Sequence, residues 1–375
     1  MIEESFAYIN PQMLKWTREQ CGFSLEEAAK KDLSPEKLKK VEEGTLFLTF
    51  KQFLNIAKRF KRPPAFFYLN KPPKEDLIDD FRTLESKEVK FSPLLRDQIL
   101  LIKEKRDLAV KYQTYDREYD YSYIKSVNIE ENPEDIAFRI IKLLDIDVIN
   151  RKSWKTKYEA LNSWKAAFEN IGVLIFQISK INVNEMRGFS ISEIPYPTIV
   201  LNRDDSHLGR IFTLIHEFCH LMLKKGGICT LEKKDEKASK IEQFCNAVAG
   251  AVLVPMNPLL ELVIDHLSQV WEENELKILR KMFWASYEVI LRRLLTLDKT
   301  NKKFYKKKRE EWSKIPPSER KGGFERIYEK VTRTHPINYI KIVFNAMQEN
   351  NITIHDVSYY LSMNLKHLDD LKRNL

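Results

Sequence analysis

Apolar residues recur at helical spacing in four short segments between residues 10 and 69, and each segment has its own start signal. Asn10-Pro11 is a cap followed by a first-turn proline, and Ser24 to Glu27 is a capping box. Ser34-Pro35 and Thr49 begin the third and fourth segments. Short helices joined by tight turns are typical of a helix-turn-helix bundle. The pattern therefore predicts such a bundle at the N-terminus.

Prolines between residues 71 and 75 mark a linker, which places a domain boundary near residue 75. Helical spacing of apolar residues returns at 93–112, 132–144 and 153–170. We predict a helical linker and lead-in over 76–170.

The pattern changes after Gly172, where VLIFQIS, MRGFSIS and PTIVLN are short runs typical of strands. They predict three strands in an antiparallel sheet, followed by a long apolar helix from about Leu208. After Pro255 the chain reads as helical and basic. The predicted fold is α+β and mostly helical, with domains at 1–75, 76–170, 171–258 and 259–375.

Composition narrows the classes of protein. Of the 375 residues 43% are hydrophobic, which is enough to form hydrophobic cores. The net charge of +9 permits contact with nucleic acid without requiring it. The N-terminus has no secretory pattern, and the longest apolar stretches are too short or too interrupted to span a bilayer. The four cysteines match neither a CxxC pair nor a disulfide framework. We expect a cytoplasmic protein that is not inserted in a membrane.

Candidate chemistry lies in the segment IFTLIHEFCHLML, residues 211–223. Thr213, His216 and His220 share one face of a helix that is otherwise apolar. Two histidines four residues apart can direct both imidazoles at one zinc ion, and Glu217 is placed to take a proton from the water that the metal activates. This is the HExxH pattern. If no metal binds, each of these side chains needs a hydrogen-bond partner of its own.

Catalytic zinc usually takes three protein ligands, so a third donor is needed. The extended metzincin pattern is excluded because Leu223 and Gly226 stand where it needs Gly and His. Glu242 is the only carboxylate in the apolar part of KASKIEQFCNAVAGAVLVP, and Asn246, one turn further on, is placed to orient an imidazole. The competing carboxylates are Glu232, Asp235 and Glu236, in a run of alternating charges.

The blocks PTIVLN, GRIFTLIHEFCHLML and IEQFCNAVAGAVLVP together resemble the signature blocks of the ImmA/IrrE family of metallopeptidases. The segment 9–44 resembles the Xre-type helix-turn-helix that many members carry in front of the peptidase. The resemblance implies His216, His220 and Glu242 as zinc ligands and Glu217 as the catalytic residue. It also implies a protein substrate, either a transcriptional repressor or a partner in a toxin system.

His207, Arg210 and Tyr196 lie close in sequence to the metal helix and are candidates for stabilising an oxyanion, but an ion pair is the favoured role for Arg210. Cys219 and Cys245 are expected to be small buried hydrophobic residues. The basic run 302–309 is expected to be a solvated helix face.

Two alternatives to a zinc endopeptidase remain open. One is a DNA-binding transcriptional regulator or antitoxin with a structural or vestigial zinc site, although the second helix of the Xre-like unit lacks the glutamine that commonly contacts DNA. Lys37, Lys39 and Lys40 can still contact phosphates. The other is a helical scaffold that binds a toxin or repressor without cutting it.

Overall fold

The computed structural model describes residues 5–29, 33–60, 62–71, 91–113, 118–224, 227–229, 236–314 and 325–374. The chain divides into two compact units, residues 1–101 and 102–375. The division falls within a helix, Pro93–Lys111. The predicted boundary near residue 75 lies outside the described residues, and so does Gly226.

The first unit is a small helical bundle with a two-stranded ribbon. Its elements are β1 (Phe6–Ala7), α1 (Pro11–Gln20), α2 (Leu25–Ala28), α3 (Pro35–Glu42), β2 (Leu48–Thr49), α4 (Phe50–Arg59) and a 3-10 turn (Pro64–Tyr68), followed by the start of α5 (Pro93–Lys111). The predicted caps are confirmed: Ser24 and Thr49 each form a reciprocal capping box with the residue three positions later. Phe53, Ile56 and Ala57 are buried, as predicted. The assignment of this bundle to the helix-turn-helix class stays a prediction.

The second unit begins with the rest of α5 and is also mostly helical. The helices before its sheet are α6 (Pro133–Leu144), α7 (Val148–Arg151) and α8 (Lys157–Asn170). The strands are β3 (Leu174–Ile178), β4 (Gly188–Ile191), β5 (Thr198–Asn202) and β6 (Gly227–Cys229), with α9 (His207–Met222) between β5 and β6. The helices that follow are α10 (Glu236–Leu253), α11 (Met256–Leu262), α12 (Glu273–Phe283), α13 (Tyr287–Thr296), α14 (Lys302–Ser313), α15 (Ile327–Thr334), α16 (Ile337–Gln348), α17 (Ile354–Tyr360) and α18 (Leu368–Arg373), with a 3-10 turn (Leu365–His367) before the last.

The sheet has the order β3-β5-β4-β6 and is mixed. β3 pairs with β5 in parallel, with Leu174 opposite Thr198, whereas β4 is antiparallel to both β5 and β6. The prediction of a purely antiparallel sheet is therefore wrong for β3. The reason is topological: the chain passes from β3 to β4 and leaves one strand position between them, then returns by a hairpin from β4 into β5, which fills that position and runs parallel to β3.

One hydrophobic core joins the lead-in helices, the sheet and the helices after Pro255. Its buried residues run from Tyr123 to Tyr305 and include Trp164, Phe218 and Phe283, which are completely buried. Residues from three of the predicted segments, 76–170, 171–258 and 259–375, thus share a single core.

A buried polar cluster connects the C-terminal helices to β3. Lys105 Nζ lies 2.8 Å from His335 Nε2 and faces the Phe176 ring. The carbonyl oxygen of Arg333 accepts from Lys165 Nζ at 3.1 Å and from Gln177 Nε2 at 2.6 Å. Buried amines that are not paired with carboxylates are unusual, since burial disfavours the charged form.

A helix that spans a membrane must be both long enough and apolar enough to cross the hydrocarbon core. Within the described ranges no single helix meets both requirements. One pair, 239–253 with 256–262, meets them only when its two helices are joined across a bend of 54°.

Candidate metal centre

Helix α9 places the HExxH residues inside the second unit. Ser206 caps its N-terminus by accepting from the Gly209 amide at 3.0 Å. The helix packs against β4 and β5 as well as against α8 and α10, and every residue from Thr213 to Met222 is buried. The polar side chains that share one face of this helix, Thr213, His216 and His220, are therefore shielded from water and need interaction partners inside the protein.

The three predicted ligands lie at the corners of a nearly equilateral triangle. His216 Nε2 and His220 Nε2 are 3.1 Å apart, and they lie 3.2 Å and 3.1 Å from the two carboxylate oxygens of Glu242. Ligand atoms of a tetrahedral zinc ion with bonds of about 2.0–2.1 Å are separated by roughly 3.3 Å. The donor set and its spacing therefore fit a divalent metal ion such as zinc.

Electrostatics at this cluster favour a positive charge at its centre. Burial would raise the pKa of Glu242, but its hydrogen bonds with His216 and His220 hold that pKa well below its ordinary value. Burial would likewise lower the pKa of His220, but the hydrogen bond to Glu242 and the charge of Glu217 raise it to about 9. Both pKa shifts arise because carboxylates face the imidazoles, and the same carboxylates attract a cation bound among them.

Glu217 is held beside the triangle by the sheet. Ser190 Oγ on β4 donates to Glu217 Oε2 at 2.9 Å, and both residues are completely buried. The other oxygen, Oε1, is buried and accepts no hydrogen bond from the residues that the structure describes. Burial raises the pKa of this carboxyl group, and the attraction of the two histidines, which lowers it, offsets only part of that rise. An anchored carboxylate with one open acceptor and a raised pKa is suited to act as a general base.

Ser190 and Gly188 are site residues that sequence reasoning missed. They lie two apart on β4 and so face α9 together. A Cβ atom at Gly188 would lie 2.5 Å from Thr213 Cγ2 and 3.4 Å from Glu217 Cγ, so only glycine lets the strand approach the helix this closely. The signal available in the sequence was a serine two residues after a glycine in an otherwise apolar strand.

The helix that carries Glu242 is fixed at its C-terminal end by two buried arginines. Arg151 donates from Nη1 to Leu253 O at 2.7 Å and from Nη2 to Val252 O at 2.9 Å. Arg293 Nε donates to Val254 O at 2.9 Å. These bonds satisfy carbonyl groups that a helix end leaves open, and the positive charges suit the negative end of the helix dipole. The position of Glu242 thus depends on residues far from it in the sequence.

Asn246 does not orient an imidazole. Its side chain is exposed and forms no hydrogen bond with His216 or His220 in the described part of the chain. The helix turns so that Cys245 takes the buried position next to Glu242, and the hydrogen bond of the Cys245 thiol is with Cys219. Both cysteines are free and buried, as expected.

The remaining candidates have structural contacts. Arg210 is buried and donates to the amide oxygen Oε1 of Gln177. His207 begins α9 and lies edge-on to the Tyr158 ring, and Tyr196 packs against Tyr119. The competing carboxylates Glu232 and Asp235, and the side chain of Glu236, lie outside the described residues. In the described residues of the basic run 302–309, Phe304 and Tyr305 are buried while most of the lysines are exposed.

Two imidazoles and a carboxylate around one point, with a second carboxylate anchored beside them, define a centre of the metallopeptidase type. Comparison with known families agrees. Residues 168–295 match the peptidase M78 family model, described as the IrrE N-terminal-like domain. The resemblance to the ImmA/IrrE family is confirmed for this part of the chain, and the match supports a metallopeptidase. No curated protein matches the chain.

Proposed function

We propose that this protein is a zinc-dependent endopeptidase that cleaves a regulatory protein. The observation that carries the proposal is the triangle of His216, His220 and Glu242 with the Glu217 carboxylate held beside it. The match of residues 168–295 supports the same reaction class. A repressor or a partner in a toxin system is the substrate class that the family resemblance implies.

In this mechanism the ligand triangle holds zinc, which when bound supplies Lewis-acid activation of water and of the peptide carbonyl. Glu217 accepts the proton of the attacking water at Oε1, the oxygen that Ser190 leaves open. The same carboxyl group then donates that proton to the nitrogen of the leaving peptide. Ser190 keeps Oε2 in place through both proton transfers, so the carboxylate does not have to be reoriented between them.

Metal content and peptide cleavage test the proposal together. The purified chain should contain one zinc ion by mass spectrometry of metals, and His216→Ala should lose it. Incubation with a library of peptides from digested cellular protein should give new termini in mass spectra, and Glu217→Gln should abolish them while retaining zinc. Glu261→Gln, at an exposed glutamate on α11, is the matched control and should behave as wild type.

Each negative outcome would refute a different part of the proposal. Wild-type protein without zinc, or with a zinc content that His216→Ala does not change, would refute the ligand set. Zinc without cleavage in any arm would refute the peptidase function and leave the metal site standing. Cleavage that survives in Glu217→Gln would refute the role of Glu217.

A second candidate function is DNA-binding regulation through the first unit. The observation that favours it is that Lys39 and Lys40 on α3 are exposed, whereas Lys37 Nζ donates to Gln52 Oε1 at 3.2 Å. Gel-shift titration with mixed double-stranded DNA at rising salt, comparing wild type with Lys39→Glu, tests this reading. It fails if the two proteins bind equally or if neither binds at low salt.

A further inference from the structure

An open groove lies where α6 and α7 meet the end of α10, apart from the metal centre. Its volume is about 460 Å³, and its walls include Ala137 and Ile141 from α6 and Ala251 from α10. Ala251 follows Glu242 by nine residues on the same helix, which corresponds to a rise of roughly 13 Å. Cavities of about 300–1,000 Å³ are typical of sites that hold ligands.

The border of this groove is apolar and unusually exposed. Phe138 on α6 is 68% exposed and Ile149 on α7 is 72% exposed, although both line the groove. Met256, at the start of α11, completes the border and is also exposed. Large apolar side chains gathered around a cavity indicate a surface that another molecule covers.

The charges of the groove specify what that molecule carries. The charged side chains among its lining residues are all acidic, namely Glu134, Asp135 and Asp147, whereas the whole chain has a net charge of +9. Arg293 Nη1 pairs with Glu134 at 2.7 Å, and Asp147 accepts from the Asn150 amide as the cap of α7. The Asp135 side chain is exposed and has no hydrogen bond or ion pair with the described residues.

We infer that this groove binds a protein segment that presents apolar side chains flanked by lysine or arginine. The apolar side chains cover Phe138 and Ile149, and the cations face Asp135 and Asp147. A neutral apolar ligand leaves these carboxylates desolvated without a partner, and an acidic one meets charges of its own sign. The inference does not depend on the proposed peptidase activity.

Fluorescence anisotropy with three labelled 16-residue peptides tests the inference on the full chain. The probes are a leucine/lysine amphipathic peptide, the same pattern with glutamate for lysine, and a glycine/lysine peptide of equal charge without leucine. The leucine/lysine peptide should bind at least tenfold more tightly than either of the others. Phe138→Ser with Ile149→Ser, and separately Asp135→Lys with Asp147→Lys, should each weaken its binding at least tenfold.

The matched control is Leu267→Ser, which removes an apolar side chain that is 95% exposed and does not line the groove. It should leave binding unchanged. The four groove residues are exposed, so unchanged circular dichroism should accompany the loss of binding. The inference is overturned if the groove variants bind as wild type, if the glutamate peptide binds equally well, or if no probe binds below 1 mM. It is also overturned if size exclusion shows that a second copy of this chain covers the groove and that Phe138→Ser releases it.

Discussion

Replacing Lys105 by methionine should change how the stability of this protein depends on pH. Lys105 is only 4% exposed, and its Nζ lies 2.8 Å from His335 Nε2. His335 Nδ1 lies 3.3 Å from the carbonyl oxygen of Val331, which can only accept, and we assign the ring proton to Nδ1 so that it donates to this oxygen. Nε2 is therefore an acceptor, and Lys105 is the donor. Methionine fills a similar volume without the amine.

The size of the effect follows from the Lys105 amine. Burial lowers its pKa from an ordinary 10.5 to about 7. Between pH 7 and 9 the unfolded chain keeps this proton and the folded chain loses it, so the free energy of unfolding rises with pH. A proton bound only in the unfolded state is worth about 1.4 kcal/mol per pH unit. Because the folded chain is already half deprotonated at pH 7, wild type should gain about 2 kcal/mol by pH 9 relative to Lys105→Met.

Urea unfolding at pH 7, 8 and 9, followed by tryptophan fluorescence, measures this difference. Five of the six tryptophans lie in residues 102–375, so the signal reports mainly on the unit that contains Lys105. The other titrating groups are the same in both proteins and cancel in the comparison. Lys142→Met, at an exposed position on α6, should follow wild type. Parallel stability profiles for wild type and Lys105→Met would refute the reasoning, because the buried amine would then hold its proton in both states.

Three further predictions concern the metal centre. Ser190→Ala leaves Glu217 Oε2 without its donor and should slow cleavage of a peptide identified in the library about 10–100-fold at unchanged zinc content, while Ser190→Thr should recover most of the rate. Gly188→Ala forces β4 from α9 and should destabilise the chain by about 2 kcal/mol in urea titrations, whereas Gly250→Ala, whose nearest contact is Arg293 Cδ at 3.3 Å, should cost less than half as much. Chelation should lower the melting temperature of wild type and zinc should restore it, because an ion at 100 times its Kd adds about 2.7 kcal/mol; scanning calorimetry of His216→Ala should show neither change.

Local signals in the sequence were sufficient to predict most of the helices. The start signals at Ser24, Ser34 and Thr49 each rest on a few neighbouring residues, and each begins a helix in the structure. The buried helix with the HExxH residues was also predictable, because its apolar positions continue all round it. This helix packs against the next one, which carries Glu242.

Other features depend on contacts that the sequence does not encode locally. The parallel pairing of β3 with β5 was missed because both strands are entirely buried, so alternation cannot show which neighbour each will have. The prediction for Asn246 was wrong because residues one helical turn apart, such as Glu242 and Asn246, can differ in burial. The contact of Ser190 with Glu217 depends on the register of a strand against a helix, which no local pattern fixes.

The hydrogen bonds of Arg151 to the end of α10 limit how short a folded fragment of this chain can be. Arg151 precedes residues 168–295, the stretch that matches the family, yet it satisfies the last carbonyls of the helix that supplies Glu242. A fragment limited to that stretch would lose this arginine together with α6, α7 and most of α8. The core residues that pack around Trp164 would then be exposed to water. The boundary of the family match is therefore not a folding boundary, and a fragment that keeps this core has to begin before α6.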